Sequence, residues 1–153
     1  MLKKSARLVL MVCLIVAAIT VTHRAFGQSN VIYKPANELK WEPLAPGAPV
    51  DVSPLWGDRT KGGDYGMFLR LKAGQAAGMH AHSADYYGVN VKGTWIREIQ
   101  GDPVRKELPQ GSYVFQPAKQ FHNDICKGPE DCVLLIHQHA VSDVIQPSAG
   151  SPR

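Results

Sequence analysis

Short alternating segments, punctuated by glycine and proline, constrain the fold of this chain more than any other feature. Met67, Leu69 and Leu71 lie on one side of a period-two alternation, and Gly74 ends that segment. Further strand-like segments occupy residues 86–99, 111–117 and 132–141. No stretch shows convincing helical periodicity. Many short strands with Gly/Pro turns predict an all-β sandwich or barrel.

The first 27 residues have the layout of a secretory signal peptide. Lys3, Lys4 and Arg7 precede an apolar run at residues 8–21, and a small-x-small pattern follows at residues 25–27. The alternative is an uncleaved membrane anchor, but the run is shorter than the roughly 20 residues that span a bilayer. We therefore expect a secreted or periplasmic protein with no stable membrane anchor after cleavage.

The net charge of +4 comes from the predicted signal peptide. The 153 residues carry 17 basic and 13 acidic side chains, and Lys3, Lys4, Arg7 and Arg24 all lie within the first 27. The mature chain would carry 13 of each, with no basic stripe, so nucleic acid is not an expected partner.

The mature chain divides into three parts. Residues 28–54 are rich in proline, which indicates an extended N-terminal arm. Residues 55–145 contain most of the strand-like segments and are long enough to form one domain. Residues 146–153 are small, polar and proline-containing, which predicts a flexible tail.

Two cysteines remain in the mature chain, Cys126 and Cys132. They flank the five residues KGPED, in which Gly128-Pro129 marks a turn. Export would permit a disulfide across this turn. The alternative is two free thiols on neighbouring strands, and the spacing alone does not decide between them.

A histidine pair provides the first indication of chemistry. His80 and His82 are two residues apart, so on a strand their side chains point to one face. Neutral imidazole is a ligand for Zn, Fe, Ni, Mn and Cu. The pattern is also compatible with two polar residues on a solvated strand, because short motifs often occur by chance.

The spacing around this pair resembles that of a known family. Five residues separate Gly74 from His80, three separate His82 from Tyr86, and six separate Tyr86 from Gly93. This arrangement is similar to the first motif of the cupin superfamily. The second cupin motif is matched by three further residues at the expected intervals, Gly111, Pro117 and His122. The resemblance covers about residues 55–140, so residues 55–145 are interpreted as a cupin domain.

The resemblance implies a single antiparallel jelly-roll barrel with a metal in its mouth. Carried over by position, the metal ligands are His80, His82 and His122. Three positions depart from the family pattern: Tyr86 stands in place of the usual glutamate ligand, Lys119 in place of a glycine, and Cys126 in place of an asparagine.

Tyr86 has two interpretations at such a site. It either fills space beside a three-histidine centre, or it is a catalytic residue whose phenol binds substrate or a metal-bound water. Direct ligation requires deprotonation of a group whose pKa is ordinarily about 10. Asp85, the nearest carboxylate, would ligate only if the strand bulges. Asn90 shares the strand face of Tyr86 and is a candidate substrate-binding residue, with an exposed strand position as the alternative.

A second histidine pair, His137 and His139, lies in the last predicted strand. It would provide either extra ligands or polar residues at the outer end of that strand. No family motif covers the pair, and we favour the second interpretation.

The sequence thus predicts an exported metal-binding protein whose partner is a small-molecule ligand or substrate. The cofactor would be a divalent transition metal, with Zn expected in the isolated protein and Fe, Mn or Ni as alternatives. The function would be oxygenase, lyase or isomerase chemistry. The alternatives are a non-catalytic metal-binding or sensor module and a barrel that has lost its metal. The resemblance also implies a homodimer, since cupins are often dimers.

Overall fold

The computed structural model describes residues 31–148, so the predicted signal peptide and residues 149–153 lie outside the described part. The chain divides into two units between Tyr33 and Lys34, and all the strands belong to the second unit. They are β1 (Glu42–Pro43), β2 (Val50–Trp56), β3 (Asp64–Leu71), β4 (Tyr86–Lys92), β5 (Trp95–Ile99), β6 (Lys106–Leu108), β7 (Tyr113–Gln116), β8 (His122–Cys126) and β9 (Cys132–His139). A 3-10 helix spans Ala36–Glu38. Within residues 31–148, no helix is long and apolar enough to cross a membrane.

The strands form two antiparallel sheets. The larger has the order β1-β2-β3-β9-β4-β7, and the smaller has the order β6-β5-β8. Every hydrogen-bonded pair of neighbouring strands is antiparallel. The predicted all-β class is therefore confirmed.

Alternation along each strand separates the core from the outer surface. In β9, Leu134, Ile136 and Gln138 are buried, whereas the residues between them are only partly buried. The main core cluster draws Leu134 and Ile136 from the larger sheet and Trp95 from the smaller one. Burial of these side chains holds the two sheets together.

Part of the predicted N-terminal arm joins the larger sheet. β1 pairs with β2, which pairs with β3 along most of its length. Val50 and Val52 of β2 are buried in the core. The boundary predicted at residue 55 therefore falls inside a strand of the barrel, because Pro54 lies within β2 opposite Met67, next to a register shift, and does not prevent pairing.

A disulfide joins β8 to β9, and the chain after β9 pairs with the segment that contains Ala81. Cys126 ends β8 in the smaller sheet and Cys132 begins β9 in the larger one, and the two form a disulfide with their Cα atoms 5.5 Å apart. After β9, residues 141–147 return across the barrel, where Ile145 and Ala81 exchange backbone hydrogen bonds of 2.8 and 2.9 Å. We call residues 141–147 the closing segment.

Candidate metal centre

Backbone pairing brings the three predicted histidines together. His80 and His122 exchange backbone hydrogen bonds of 2.9 and 2.8 Å as an isolated antiparallel bridge. His82 follows His80 by two residues, so the two side chains point to the same face of the extended backbone. The ligand atoms of the three imidazoles all lie within 4.8 Å of one another.

Each of these imidazoles is held by a backbone carbonyl. The Nδ1 atoms of His80, His82 and His122 lie 2.7, 2.6 and 3.0 Å from the carbonyl oxygens of Gly78, Asp143 and Gln120. A carbonyl oxygen only accepts, so each Nδ1 carries the proton and donates it. The Nε2 atoms are therefore left without a proton, as metal-ligating histidines require.

Burial favours the neutral form of two of these rings. It lowers the pKa of the His82 imidazole below its ordinary value, and it lowers the pKa of His122 to about 4. The side chain of His122 is fully buried. A metal binds the neutral form of imidazole, because a protonated ring has no lone pair to donate. The lowered pKa values of His82 and His122 therefore favour metal binding.

A carboxylate that was not predicted completes the site. Asp124 lies two residues after His122 on β8, and its Oδ2 atom is 3.6 Å from Nε2 of His122 and 3.9 Å from Nε2 of His80. Its Oδ1 atom accepts hydrogen bonds from Trp95 Nε1 at 2.8 Å and from Arg97 at 2.7 Å. The His122-x-Asp124 spacing is the same signal that pairs His80 with His82, so the sequence contained the information needed to find it.

Arg97 is the buried cation beside this carboxylate. It lies on β5 with 4% of its surface exposed, and its guanidinium donates to Asp124, to the Tyr86 hydroxyl and to the Gln116 side chain. Burial alone would raise the pKa of Asp124, but the charge of Arg97 holds it below its ordinary value. Asp124 is therefore ionised, and its buried charge is paired with that of Arg97.

Tyr86 lies beside the histidines, where the motif predicts it. Its hydroxyl is 3.3 Å from Nε2 of His122 and accepts a 2.7 Å hydrogen bond from Arg97. Burial and the nearby charge of Asp124 raise the pKa of Tyr86 well above its ordinary value. The phenol is thus neutral, which disfavours ligation as a phenolate.

Two other predicted positions are used differently. Asn90 shares the inward face of Tyr86, but its amide donates to the carbonyls of Gly93 and Leu108 at 2.9 and 2.8 Å. Asn90 is not among the residues that line the cavity beside the histidines, and its role as a substrate-binding residue stays a prediction. Strand parity fixes the face of a residue but not its distance along the barrel. Asp85 accepts a 2.6 Å hydrogen bond from the Ala118 amide and points to that turn.

Two of the histidines, His80 and His82, lie in the wall of a cavity inside the barrel. Its volume is about 70 Å³, and His80, His82, Tyr86 and Asp124 line it. The remaining walls are mostly apolar and include Val50, Met67, Leu71, Leu134, Ile136 and Val144. Such a pocket suits a small ligand with one polar end facing the histidines.

The second histidine pair lies elsewhere. His137 contacts the Asp64 carboxylate, and its ring stacks against Tyr87 at a centroid distance of 6.0 Å. Tyr87 is about half exposed, on the outer face of the larger sheet. Neither His137 nor His139 belongs to the cluster of His80, His82 and His122.

Comparison with known families identifies the fold and the motif together. The family profile described as ChrR Cupin-like domain matches residues 29–142. The chain is a member of the ChrR cupin-like family. This match includes residues 29–54, part of which pairs in the barrel as β1 and the start of β2. The search of the curated proteins found no match.

Solved structures support the cupin assignment. The chain is similar to the polyketide cyclase RemF from Streptomyces resistomycificus, with 14% identity, a TM-score of 0.66, and coverage of 82% of this chain and 90% of that one. A cupin-2 domain from Rhodospirillum rubrum gives 14% identity and a TM-score of 0.61, covering 84% and 87%. KdgF from Halomonas sp. gives 16% identity and 0.57, covering 72% and 94%. These likenesses confirm the jelly-roll fold.

The residues of this cupin fit a transition metal. Cupins often bind such metals, and the chain provides three imidazoles whose ligand atoms lie within 4.8 Å of one another. Imidazole donors suit Zn, Fe, Ni and Cu. The glutamate ligand of the first motif is absent from its usual position, where Tyr86 stands.

Proposed function

We propose that this protein is an exported metal-binding cupin that acts on a small molecule through a single metal ion. The metal would be held by His80, His82 and His122, and the chemistry would be of oxygenase, lyase or isomerase type. The supporting observation is that all three Nδ1 atoms donate to backbone carbonyls, which leaves each Nε2 without a proton, and that the ligand atoms of the three rings lie within 4.8 Å of one another.

The metal and the apolar walls of the cavity would bind different parts of the ligand. When bound, a divalent metal supplies Lewis acidity toward a substrate oxygen and leaves positions open beside three protein ligands. The apolar walls contributed by Met67, Leu134 and Val144 would hold the rest of the ligand and exclude water. The volume of about 70 Å³ limits the ligand to a few heavy atoms unless the closing segment moves.

Tyr86 is our proposed catalytic residue. Its neutral phenol holds a proton at the cavity wall, and the hydrogen bond from Arg97 fixes the hydroxyl oxygen. An oriented, neutral hydroxyl can donate to a substrate oxygen in the cavity. Arg97 donates to the phenol and is not among the residues that line the cavity, so its role would be to position Tyr86.

The choice of metal depends on the compartment in this proposal. Export in an unfolded state would leave metal loading to a compartment where intrinsic affinity favours Cu and Zn over Mn and Fe. We expect Zn in the isolated protein, with Fe, Mn or Ni as alternatives for the working metal. A homodimer is expected because cupins are often dimers.

A non-catalytic binding or sensor module is the second candidate function. The small cavity and the closing segment across it favour this interpretation, because both limit access to a larger substrate. Metal-loaded protein would separate the two candidates. Turnover in a screen that starts with O₂ uptake supports the enzyme, whereas saturable ligand binding without turnover supports the sensor.

Elemental analysis of the mature chain, residues 28–153, tests the metal site itself. We expect about one equivalent of metal in the wild-type protein and none in the His80→Ala/His82→Ala variant. The matched control is His137→Ala/His139→Ala, which removes a pair of the same spacing outside the cluster and should keep the metal. Equal, negligible metal in all three proteins would contradict the proposal.

A further inference from the structure

The two oxygens of the Asp124 carboxylate have different surroundings. Oδ1 accepts hydrogen bonds from Trp95 and Arg97, on the side of the smaller sheet. Oδ2 lies on the side of His80 and His122, and Asp124 lines the cavity together with His80 and His82. A carboxylate has about four lone-pair positions, so the contacts at Oδ1 leave Oδ2 available to a metal.

The distances at Oδ2 are close to those between ligands of one metal ion. In a tetrahedral site with bonds of about 2.0–2.2 Å, neighbouring ligand atoms lie about 3.4 Å apart. Oδ2 lies 3.6 Å from Nε2 of His122 and 3.9 Å from Nε2 of His80. A metal between these atoms would need only a small movement of the carboxylate.

Charge gives a second reason for a carboxylate here. Three neutral imidazoles would leave the full charge of a divalent ion inside a mostly apolar cavity, which is unfavourable. An anionic ligand lowers that charge, and Asp124 is the carboxylate in the cavity wall nearest to Nε2 of His122 and His80. Tyr86, at the motif's glutamate position, is a buried phenol whose oxygen already accepts from Arg97.

We infer that Asp124 is the fourth protein ligand of the metal, supplying from β8 the carboxylate that the first cupin motif would otherwise supply from the position of Tyr86. This inference rests on the proposed three-histidine centre and adds a fourth protein ligand to it, so that a substrate oxygen would bind as a fifth ligand. The resulting ligand set is three imidazoles and one carboxylate oxygen. Such a mixed set is suited to Zn, Fe or Mn and less to Cu(I), which prefers sulfur ligands.

Cobalt and zinc titrations of Asp124→Asn test the inference. Asparagine retains an oxygen that can accept from Trp95 and Arg97, but it loses the anionic oxygen beside the histidines. We expect one equivalent of metal, bound roughly 10- to 100-fold more weakly in competition with a chromophoric chelator, and a changed Co²⁺ visible spectrum. The matched control is Asp85→Asn, whose carboxylate faces the Ala118 amide and should leave both readouts unchanged.

The outcomes separate this inference from the proposed function. If wild-type protein binds metal and Asp124→Asn binds it with the same affinity and spectrum, the inference is overturned while the three-histidine centre stands. If wild-type protein binds neither Co²⁺ nor Zn²⁺, both fail.

A measurement on the wild-type protein covers the case in which Asp124→Asn does not fold, since the substitution weakens the pairing of Arg97. In a crystal structure of the zinc-loaded protein, Oδ2 of Asp124 should lie about 2.0–2.2 Å from the metal. A separation of more than about 3 Å would overturn the inference.

Discussion

Nδ1 of His82 lies 2.6 Å from the backbone oxygen of Asp143, so one of the three clustered histidines is held by the segment that follows the last strand. The Asp143 side chain adds to this contact by accepting a 3.0 Å hydrogen bond from the Ser83 amide. The orientation of His82 therefore depends on a distant part of the sequence, and loss of the closing segment should weaken the site.

Ile145→Pro tests this dependence without changing a side chain that contacts His82. Proline removes the amide that donates to the Ala81 carbonyl at 2.8 Å. We expect metal affinity to fall about 10-fold, the range found when partners of metal ligands are removed, with an unchanged far-UV CD spectrum. Gln146→Pro is the matched control and should bind as the wild type does. Wild-type affinity in Ile145→Pro would show that the closing segment does not orient His82.

Tyr86→Phe should separate catalysis from metal binding. The variant keeps the ring and removes the hydroxyl, so we expect a full equivalent of metal and turnover reduced roughly 100-fold or more, the usual contribution of a positioned proton donor. The control is Tyr87→Phe, which changes a neighbour on the outer face of the sheet. Loss of metal from Tyr86→Phe would instead make Tyr86 a ligand, and undiminished turnover would remove it from the mechanism.

The metal-free protein should lose stability between pH 6.5 and pH 4. Burial lowers the pKa of His122 from 6.5 to about 4, so the unfolded state binds more protons in this range and stability falls as the pH falls. This residue alone accounts for about 2 kcal/mol between pH 7 and pH 5. Urea unfolding at both values measures the change. His122→Gln should show a smaller difference, and an equal difference in both proteins would contradict the assignment.

Breaking the disulfide should destabilise the fold modestly. Cys126 and Cys132 close a loop with a sequence separation of 6, and the chain-entropy model gives about 2 kcal/mol for a loop of this length. Denaturant unfolding of the mature chain with and without a reductant measures the loss. The Cys126→Ala/Cys132→Ala variant should be insensitive to reductant, and a wild-type protein equally insensitive would mean that the two thiols are free in solution.

Local patterns in the sequence were sufficient to predict the strands and the three histidines. Alternation of apolar residues assigns β3 and β9, and the motif spacing selects His80, His82 and His122. The spacing holds even where a motif residue changes: Lys119 replaces the family's glycine but keeps a positive φ of 62° and donates its amide to the His82 carbonyl.

Contacts between distant strands could not be predicted in this way. Arg97 reaches Asp124 because β5 pairs with β8 in a register that places these two residues opposite each other. Period-two spacing placed Asn90 on the face of Tyr86 but did not give its distance from the histidines. The arm and the strand β2 could not be separated, because proline content alone does not show whether a segment pairs.

Two-bond ¹H–¹⁵N NMR of the histidine rings tests the central claim most directly. In metal-free protein at neutral pH, His80, His82 and His122 should be the tautomer protonated at Nδ1, since each Nδ1 faces a carbonyl. Addition of one equivalent of Zn²⁺ should shift the Nε2 signals of these three rings and leave those of His137 and His139 unchanged. Protonation of any of the three at Nε2, or Nε2 signals that do not respond to Zn²⁺, would contradict the account.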